Sequence, residues 1–370
     1  MRHLLSPIVA ALAFSSLAGC AHGRAGSAGN AQEISFDEVV ITGDLELDKL
    51  NDEELFAAGT SFFAAEDFAQ AARYFGRICD FHPNSRHRRA ALYNAGLSLE
   101  KLKAWDEAWV RFSELADPAK GTGDALDASY RVAETLYHSE RYADAIEVLK
   151  TIADRGDLPV DRRIEARVQQ GVCELELGQT DVAESTFRGV LNTWNELPDK
   201  ELVDDYFPAQ AQFFLGEIFR LHYESIELDG SKDTDKLAED LEYKSELLLS
   251  AQGHYLRAIR IGNGYWATAA GQRIGNLYEN MYDHMVHAPA PAELSEAEQD
   301  VYRAELRKKI RVLISKAITV YERTLEAAER IGSSSPFVEQ TRESLKRMKE
   351  LLLAEARAEE QTPPSPPPGS

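Results

Sequence analysis

After an apolar run from Leu4 to Leu17, the chain settles near residue 51 into polar and apolar positions that recur at helical spacing. A small residue is followed twelve positions later by alanine four times in succession: Gly59/Ala71, Gly96/Ala108, Ala133/Ala145 and Gly171/Ala183. The starts lie 37, 37 and 38 residues apart. Four residues after each alanine stands a large apolar residue: Phe75, Phe112, Leu149 and Phe187. Phe68, Trp105 and Tyr142 precede the first three alanines by three residues, and the fourth copy has Thr180 there. His82-Pro83-Asn84 closes the first copy as a helix stop. The spacing predicts pairs of helices: small residues leave room where two backbones cross, and large ones fill the gap to the next unit. No such pair covers its own apolar face, so the units must stack.

Beyond Trp194 the register stretches. Gly216 looks like a fifth start, but its alanine-aromatic pair arrives only at Ala251 and Tyr255, after the polar stretch Asp229-Gly230-Ser231-Lys232-Asp233. A sixth start, Ile274-Gly275-Asn276-Leu277-Tyr278, resumes at Ala317 and Tyr321 beyond His287-Ala288-Pro289-Ala290-Pro291. Ser335-Pro336 then opens a last helix, with serine as N-cap and proline at the first position. Its stripe of Phe337, Leu345, Met348, Leu351 and Leu352 suits a cap on the final repeat. The proline-rich 361–370 reads as a frayed tail or a polyproline ligand.

These small-residue, alanine and aromatic positions resemble the tetratricopeptide repeat, and Leu-Gly-x-x-Tyr-type residues at 274–278 fit the same pattern. The resemblance covers about three quarters of the chain. It implies an all-α, right-handed superhelical solenoid of about six helix hairpins with a C-terminal capping helix. Regular repeats would occupy 51–200, degenerate ones with longer helices 201–332, and the cap 333–360. In this family the first helix of each pair lines the concave wall. Counting the small residue as position 8, positions 5, 9 and 12 share one helical face. They are Phe56, Thr60, Phe63; Tyr93, Leu97, Glu100; Tyr130, Glu134, Tyr137; Val168, Val172, Leu175; and Phe213, Glu217, Arg220. The resemblance therefore implies a protein-binding groove carrying Phe56, Phe63, Tyr93, Tyr130, Tyr137 and Phe213, filled by a peptide or by residues 33–50 of the chain itself. The Lys and Asn with which chaperone-binding members clamp a terminal carboxylate are replaced here by Phe56, Thr60, Tyr93 and Leu97.

The N-terminus reads as an address. Arg2 and His3 precede an apolar stretch too short to span a bilayer as a mature helix, so 1–19 is expected to be a signal peptide. Leu17-Ala18-Gly19-Cys20 resembles the bacterial lipobox, which implies acylation of Cys20 and cleavage before it. Several acyl chains make a stable membrane anchor where one is marginal. Ala21 after the cysteine implies, by the sorting rule of that class, the outer membrane. Residues 20–50 are then a tether. Its Gly/Ala/Ser-rich start leads into 33–50, where apolar and acidic residues partly alternate as two short strands, an extended arm or a polar leader.

Composition narrows the function. Of 370 residues, 62 are acidic and 41 are Lys or Arg, for a net charge of −21, which argues against nucleic acid as a partner. Three cysteines exclude a disulfide framework, and Cys79 and Cys173 in separate repeats read as packing thiols or, alternatively, one bridge. Two basic clusters, Arg86-His87-Arg88-Arg89 and Arg303 to Arg311, read as solvated helix faces or as contacts for anionic lipid or an acidic partner. No phosphate-binding glycine loop or nucleophile elbow is found, and Gly262-Asn263-Gly264 is a link between helices. His284 and His287 beside Asp283, with Glu279 nearby, are the sole metal candidate, and no cofactor is implied. The expectation is a non-catalytic scaffold that joins envelope proteins through its concave surface and the membrane through Cys20. By resemblance it belongs among repeat lipoproteins of barrel assembly, cell-wall regulation or motility. The competing readings are an enzyme or metal protein with its site in 226–240 or 284–300, and a solenoid that binds copies of itself.

Overall fold

The computed structural model describes residues 42–198, 205–228, 234–290 and 294–361. These residues form thirteen α-helices and no strand. The helices are α1 (Asp52–Ala64), α2 (Phe68–Phe81), α3 (Arg88–Lys101), α4 (Trp105–Ser113), α5 (Asp124–His138), α6 (Tyr142–Ala153), α7 (Val160–Glu176) and α8 (Thr180–Glu196), followed by α9 (Tyr206–Ser225), α10 (Thr234–Ile261), α11 (Gly264–His287), α12 (Glu296–Ile331) and α13 (Pro336–Gln361). Each packs chiefly on its neighbours in sequence, as in a solenoid of hairpins.

The crossings explain the repeat. The alanines Ala71, Ala108, Ala145, Ala183, Ala251 and Ala317 are fully buried. Opposite each glycine of the odd-numbered helix lies the ring four residues beyond the alanine. A Cβ on Gly59, Gly96 or Gly171 would come within 2.8, 2.5 or 2.7 Å of Phe75, Phe112 or Phe187. The degenerate repeats keep the device, with Gly216 against Tyr255 at 2.5 Å and Gly275 against Tyr321 at 2.1 Å. The expected role of Phe75 is thereby corrected. Its ring sits under Gly59 of its own hairpin, because that is where the missing Cβ leaves a hole the size of a ring edge. Ala133 completes the rule: where the small residue has a Cβ, the partner position is Leu149 rather than a ring.

The turns inside the four regular hairpins share a left-handed residue at fixed register: Glu66, Lys103, Glu140 and Gly178, with φ of 60°, 59°, 60° and 75°. Three of the four carry a side chain where glycine is favoured. Replacing Lys103 or Glu140 with glycine is expected to raise stability by roughly 0.5 kcal/mol, relief of left-handed strain outweighing glycine's added unfolded-state entropy. Urea melts of the single variants would show it as a higher midpoint at unchanged slope.

In the C-terminal half the helices lengthen to between 20 and 36 residues. Within 226–240 and 284–300, residues 234–240 belong to α10, 284–287 to α11 and 296–300 to α12. α13 packs on α12 and α11, burying Phe337 and Met348.

The described part of the arm, 42–50, is neither strand nor groove filling. It turns through a short 3-10 segment, Leu47–Lys49, and lies along α2. Arg73 binds Asp44 at 2.7 Å and Glu46 at 2.9 Å, Tyr74 donates to Glu46, and Arg77 meets Asp48 at 2.7 Å with both side chains almost buried. Leu47 enters the core beside Leu55 and Tyr74. This segment thus closes the open end of the first hairpin. Residues 33–41 of the arm, the signal and Cys20 lie outside the described residues.

Candidate functional site: the wall of odd-numbered helices

Positions 5, 9 and 12 of α1, α3, α5, α7 and α9 are the wall on which the groove was expected; the same positions of α11 continue it, and its two halves differ in chemistry. In the first two hairpins four of the six wall positions, Phe56, Phe63, Tyr93 and Leu97, are apolar or aromatic and half-buried, beside the exposed Thr60 and the carboxylate of Glu100. Phe56 tilts against Phe75 and stacks on His87 at 4.6 Å, and Phe63 meets the edge of Phe68. Tyr93 packs edge-on to Phe112, and Leu97 is likewise half-buried. The arm's described part is held on α2 by Arg73 and Arg77.

Three of the expected groove residues are buried within the fold. Tyr130 is 5% exposed and Tyr137 is 8% exposed. The Tyr130 hydroxyl donates to the Arg162 carbonyl at 2.5 Å beneath that guanidinium, and Tyr137 donates to Glu176 at 3.2 Å. Both reach across to α7, which closes over them, and burial pushes both phenols well above their ordinary range. Phe213 is fully buried, wedged between Tyr255 and Trp266, because the longer α10 and α11 both pack on this part of α9.

Between α3 and α5, Arg131 bridges two carboxylates, 3.3 Å from Glu100 and 2.9 Å from Glu134. Burial, reinforced by the charge of Glu134 and opposed by Arg131, raises the Glu100 carboxyl above the usual range.

The C-terminal wall is a connected polar chain that runs through α9, α10, α11, α12 and α13. Glu217, fully buried on α9, accepts from Arg220 at 3.0 Å, from Arg273 of α11 at 3.0 Å and from the Tyr255 hydroxyl of α10. Arg273 also reaches Gln272, whose amide donates to Asn276 at 2.7 Å. Asn276 donates to Glu279 and to the Tyr321 hydroxyl, Tyr321 donates to Glu279 at 2.8 Å, and Arg347 of α13 closes the series on Glu279 at 3.0 Å. Glu217 and Arg220 stood in the expected wall as scattered charges. The missed members were legible in register, since Gln272, Asn276 and Glu279 are positions 5, 9 and 12 of the sixth hairpin.

The other candidates resolve simply. Arg86 pairs with Glu53, Arg88 with Glu114 and Arg89 with Asp124, so the first basic cluster is a paired helix face. Cys79 and Cys173 are separate buried thiols, each pushed up to about 12 by burial. His287 meets the Asp283 carbonyl, and His284 stacks on Tyr223. Among the described residues no three metal-ligating side chains converge.

Residues 55–85 match the family profile of the tetratricopeptide repeat. No curated protein matches the chain. Among solved structures, a tetratricopeptide repeat protein from Parabacteroides merdae is 14% identical, with 80% of this chain and 98% of that one covered and a TM-score of 0.37. The apo form of RapI is 10% identical over 84% of this chain and 100% of its own, with a TM-score of 0.42. A Rap protein complexed with competence and sporulation factor is 13% identical over 85% and 77%, with a TM-score of 0.31.

Proposed function

We propose that this tetratricopeptide-repeat chain is a non-catalytic scaffold that holds a protein or peptide partner on its N-terminal wall and is moored to the outer membrane, facing the periplasm, by acyl chains on Cys20. The observation that carries the binding role is the half-buried apolar strip of Phe56, Phe63, Tyr93 and Leu97, over which no described residue of the arm packs as an ion pair or ring contact. Aromatic side chains give broad contact at low entropic cost, so such a strip suits a short apolar or amphipathic segment of an envelope protein. The C-terminal wall is saturated with its own hydrogen bonds and serves as the rigid support. Support for the mooring is Leu17-Ala18-Gly19-Cys20 at the end of the apolar run. No described helix is long and apolar enough to cross a membrane.

Two measurements test this reading. Metabolic labelling with a palmitate analogue is expected to mark the wild-type chain and not Cys20→Ala, which should move from the membrane to the soluble fraction. A photo-crosslinking residue at Thr60 or Leu97 should capture a discrete partner that the same residue at Val110, exposed on α4, does not. Identical capture from both positions would refute the groove, and an unlabelled, unmoved chain would refute the anchor.

A further inference from the structure

A second concavity lies away from the wall, between α6, α7 and α8, with a volume of about 390 Å³. That size is in the range of small-molecule sites. Its floor is apolar, built from Ile164 and Val190, and its flank carries Arg163 and Arg167 from successive turns of α7. Arg167 is held by Asp154 at 2.6 Å and by Gln170. Arg163 differs: its Nε is buried and finds no acceptor among the described residues. In a chain with 62 acidic residues against 41 Lys and Arg, an arginine on a cleft wall whose Nε finds no acceptor stands out as a contact for an anion. Of the carboxylates in this network, Asp154 is taken by Arg167, and Glu174 is engaged at both oxygens, by Gln170 at 2.6 Å and Thr186 at 2.7 Å. Opposite the arginines, the exposed Ser185 brings a hydroxyl to the rim.

Gly189 is the independent sign that the space is kept open. Glycine is the least favoured residue in a helix interior after proline. At the hairpin crossings its place is forced by a ring, whereas a Cβ on Gly189 would meet nothing within 4 Å. The residue lines the cleft and faces its opening. Packing therefore does not demand glycine there, and a larger side chain would extend from the wall of the cleft that Gly189 lines.

We propose that this cleft binds a small organic anion: one oxyanion group held by Arg163, Arg167 and Ser185, with a short apolar body over Ile164 and Val190. Guanidinium groups grip carboxylate and phosphate alike through paired N–H donors, so the head group is one of these two. The inference stands on residues remote from the proposed groove and does not depend on it.

Calorimetric titration of the full chain with phenyl phosphate and with benzoate tests it and separates the two head groups. At least one probe should bind saturably with a Kd below ~1 mM, and inorganic phosphate, lacking the apolar body, should bind at least ~10-fold more weakly. Arg163→Gln should weaken the better probe about 10-fold or more, as expected on losing a charge-assisted pair. Gly189→Leu should abolish binding by filling the cleft while the helical circular dichroism and melting temperature hold or rise. Absence of saturable binding of either probe up to ~10 mM would overturn the proposal. So would binding that both variants leave unchanged.

Discussion

Gly275→Val is expected to melt the α11–α12 hairpin at a cost of ~3 kcal/mol, the upper range for overpacking a tight site. A Cβ at this position would stand 2.1 Å from the Tyr321 ring, and one turn earlier a Cβ on Gly271 would stand 2.3 Å from the Thr324 hydroxyl. The ring cannot swing aside, because its hydroxyl is fixed between Glu279 and Asn276. Solenoid units contact only their neighbours, so the loss should be local. Hydrogen exchange should show deprotection of α11 and α12 while α1 to α6 keep theirs, and a single global transition with uniform deprotection would contradict the crossing as the weak point. The third hairpin supplies the reciprocal case. Leu149→Phe should be destabilising beside Ala133, and the added change Ala133→Gly should restore much of the loss, since it recreates the glycine-ring pairing of the other hairpins. A double-mutant cycle would register this as a coupling of about 1 kcal/mol or more between contacting residues.

That pairing is also why so much of the fold was legible. Close approach of two helices imposes a small residue and a filling residue at a fixed separation, and the constraint survives the longer helices as Gly216/Tyr255 and Gly275/Tyr321. The wall was legible only as a list of positions. Helical periodicity places Tyr130, Tyr137 and Phe213 on the same face as Phe56, yet whether a side chain on that face is open depends on the height of the next helix, which is a tertiary quantity. α7 rises over Tyr130 through Arg162, while Phe56, set against Phe75 of its own hairpin, meets His87 ahead of α3 and stays half-buried. The turns at Glu66, Lys103 and Glu140 were hidden for the opposite reason. Their left-handed backbone is dictated by the hairpin's closure, and the residues occupying it carry no glycine signature. The destination of the arm was equally illegible, because its acidic alternation fits solvent as well as it fits Arg73 and Arg77.

Glu217 is where the C-terminal wall is most exposed to a single substitution. Its carboxylate is fully buried and holds two arginines from different helices together with the Tyr255 hydroxyl. Glu217→Leu leaves Arg220 with Glu224 alone and removes from Arg273 its only ion pair among those observed, so a loss of about 3–5 kcal/mol is expected. Glu217→Met combined with Arg273→Met should recover part of it, because replacing a whole buried pair costs far less than breaking one. The pH dependence separates this ion cluster from simple packing. Burial alone would raise the Glu217 carboxyl, but Arg273 and Arg220, with the Tyr255 hydrogen bond, outweigh it and hold it below its ordinary value of 4.5. A carboxyl depressed on folding contributes stability that is present above the unfolded value and is lost as pH falls through the folded one. Glu217→Gln should therefore flatten the acid limb of the stability curve below pH 4.5. Glu165, raised by burial to about 6, has the opposite sign: its contribution weakens the fold as pH climbs from 4.5 to 6, and Glu217→Gln should leave that part of the curve intact. Urea midpoints measured at closely spaced pH values for wild type and Glu217→Gln would resolve the two limbs, and parallel curves below pH 4.5 would mean that Glu217 is held by packing and not by its charge.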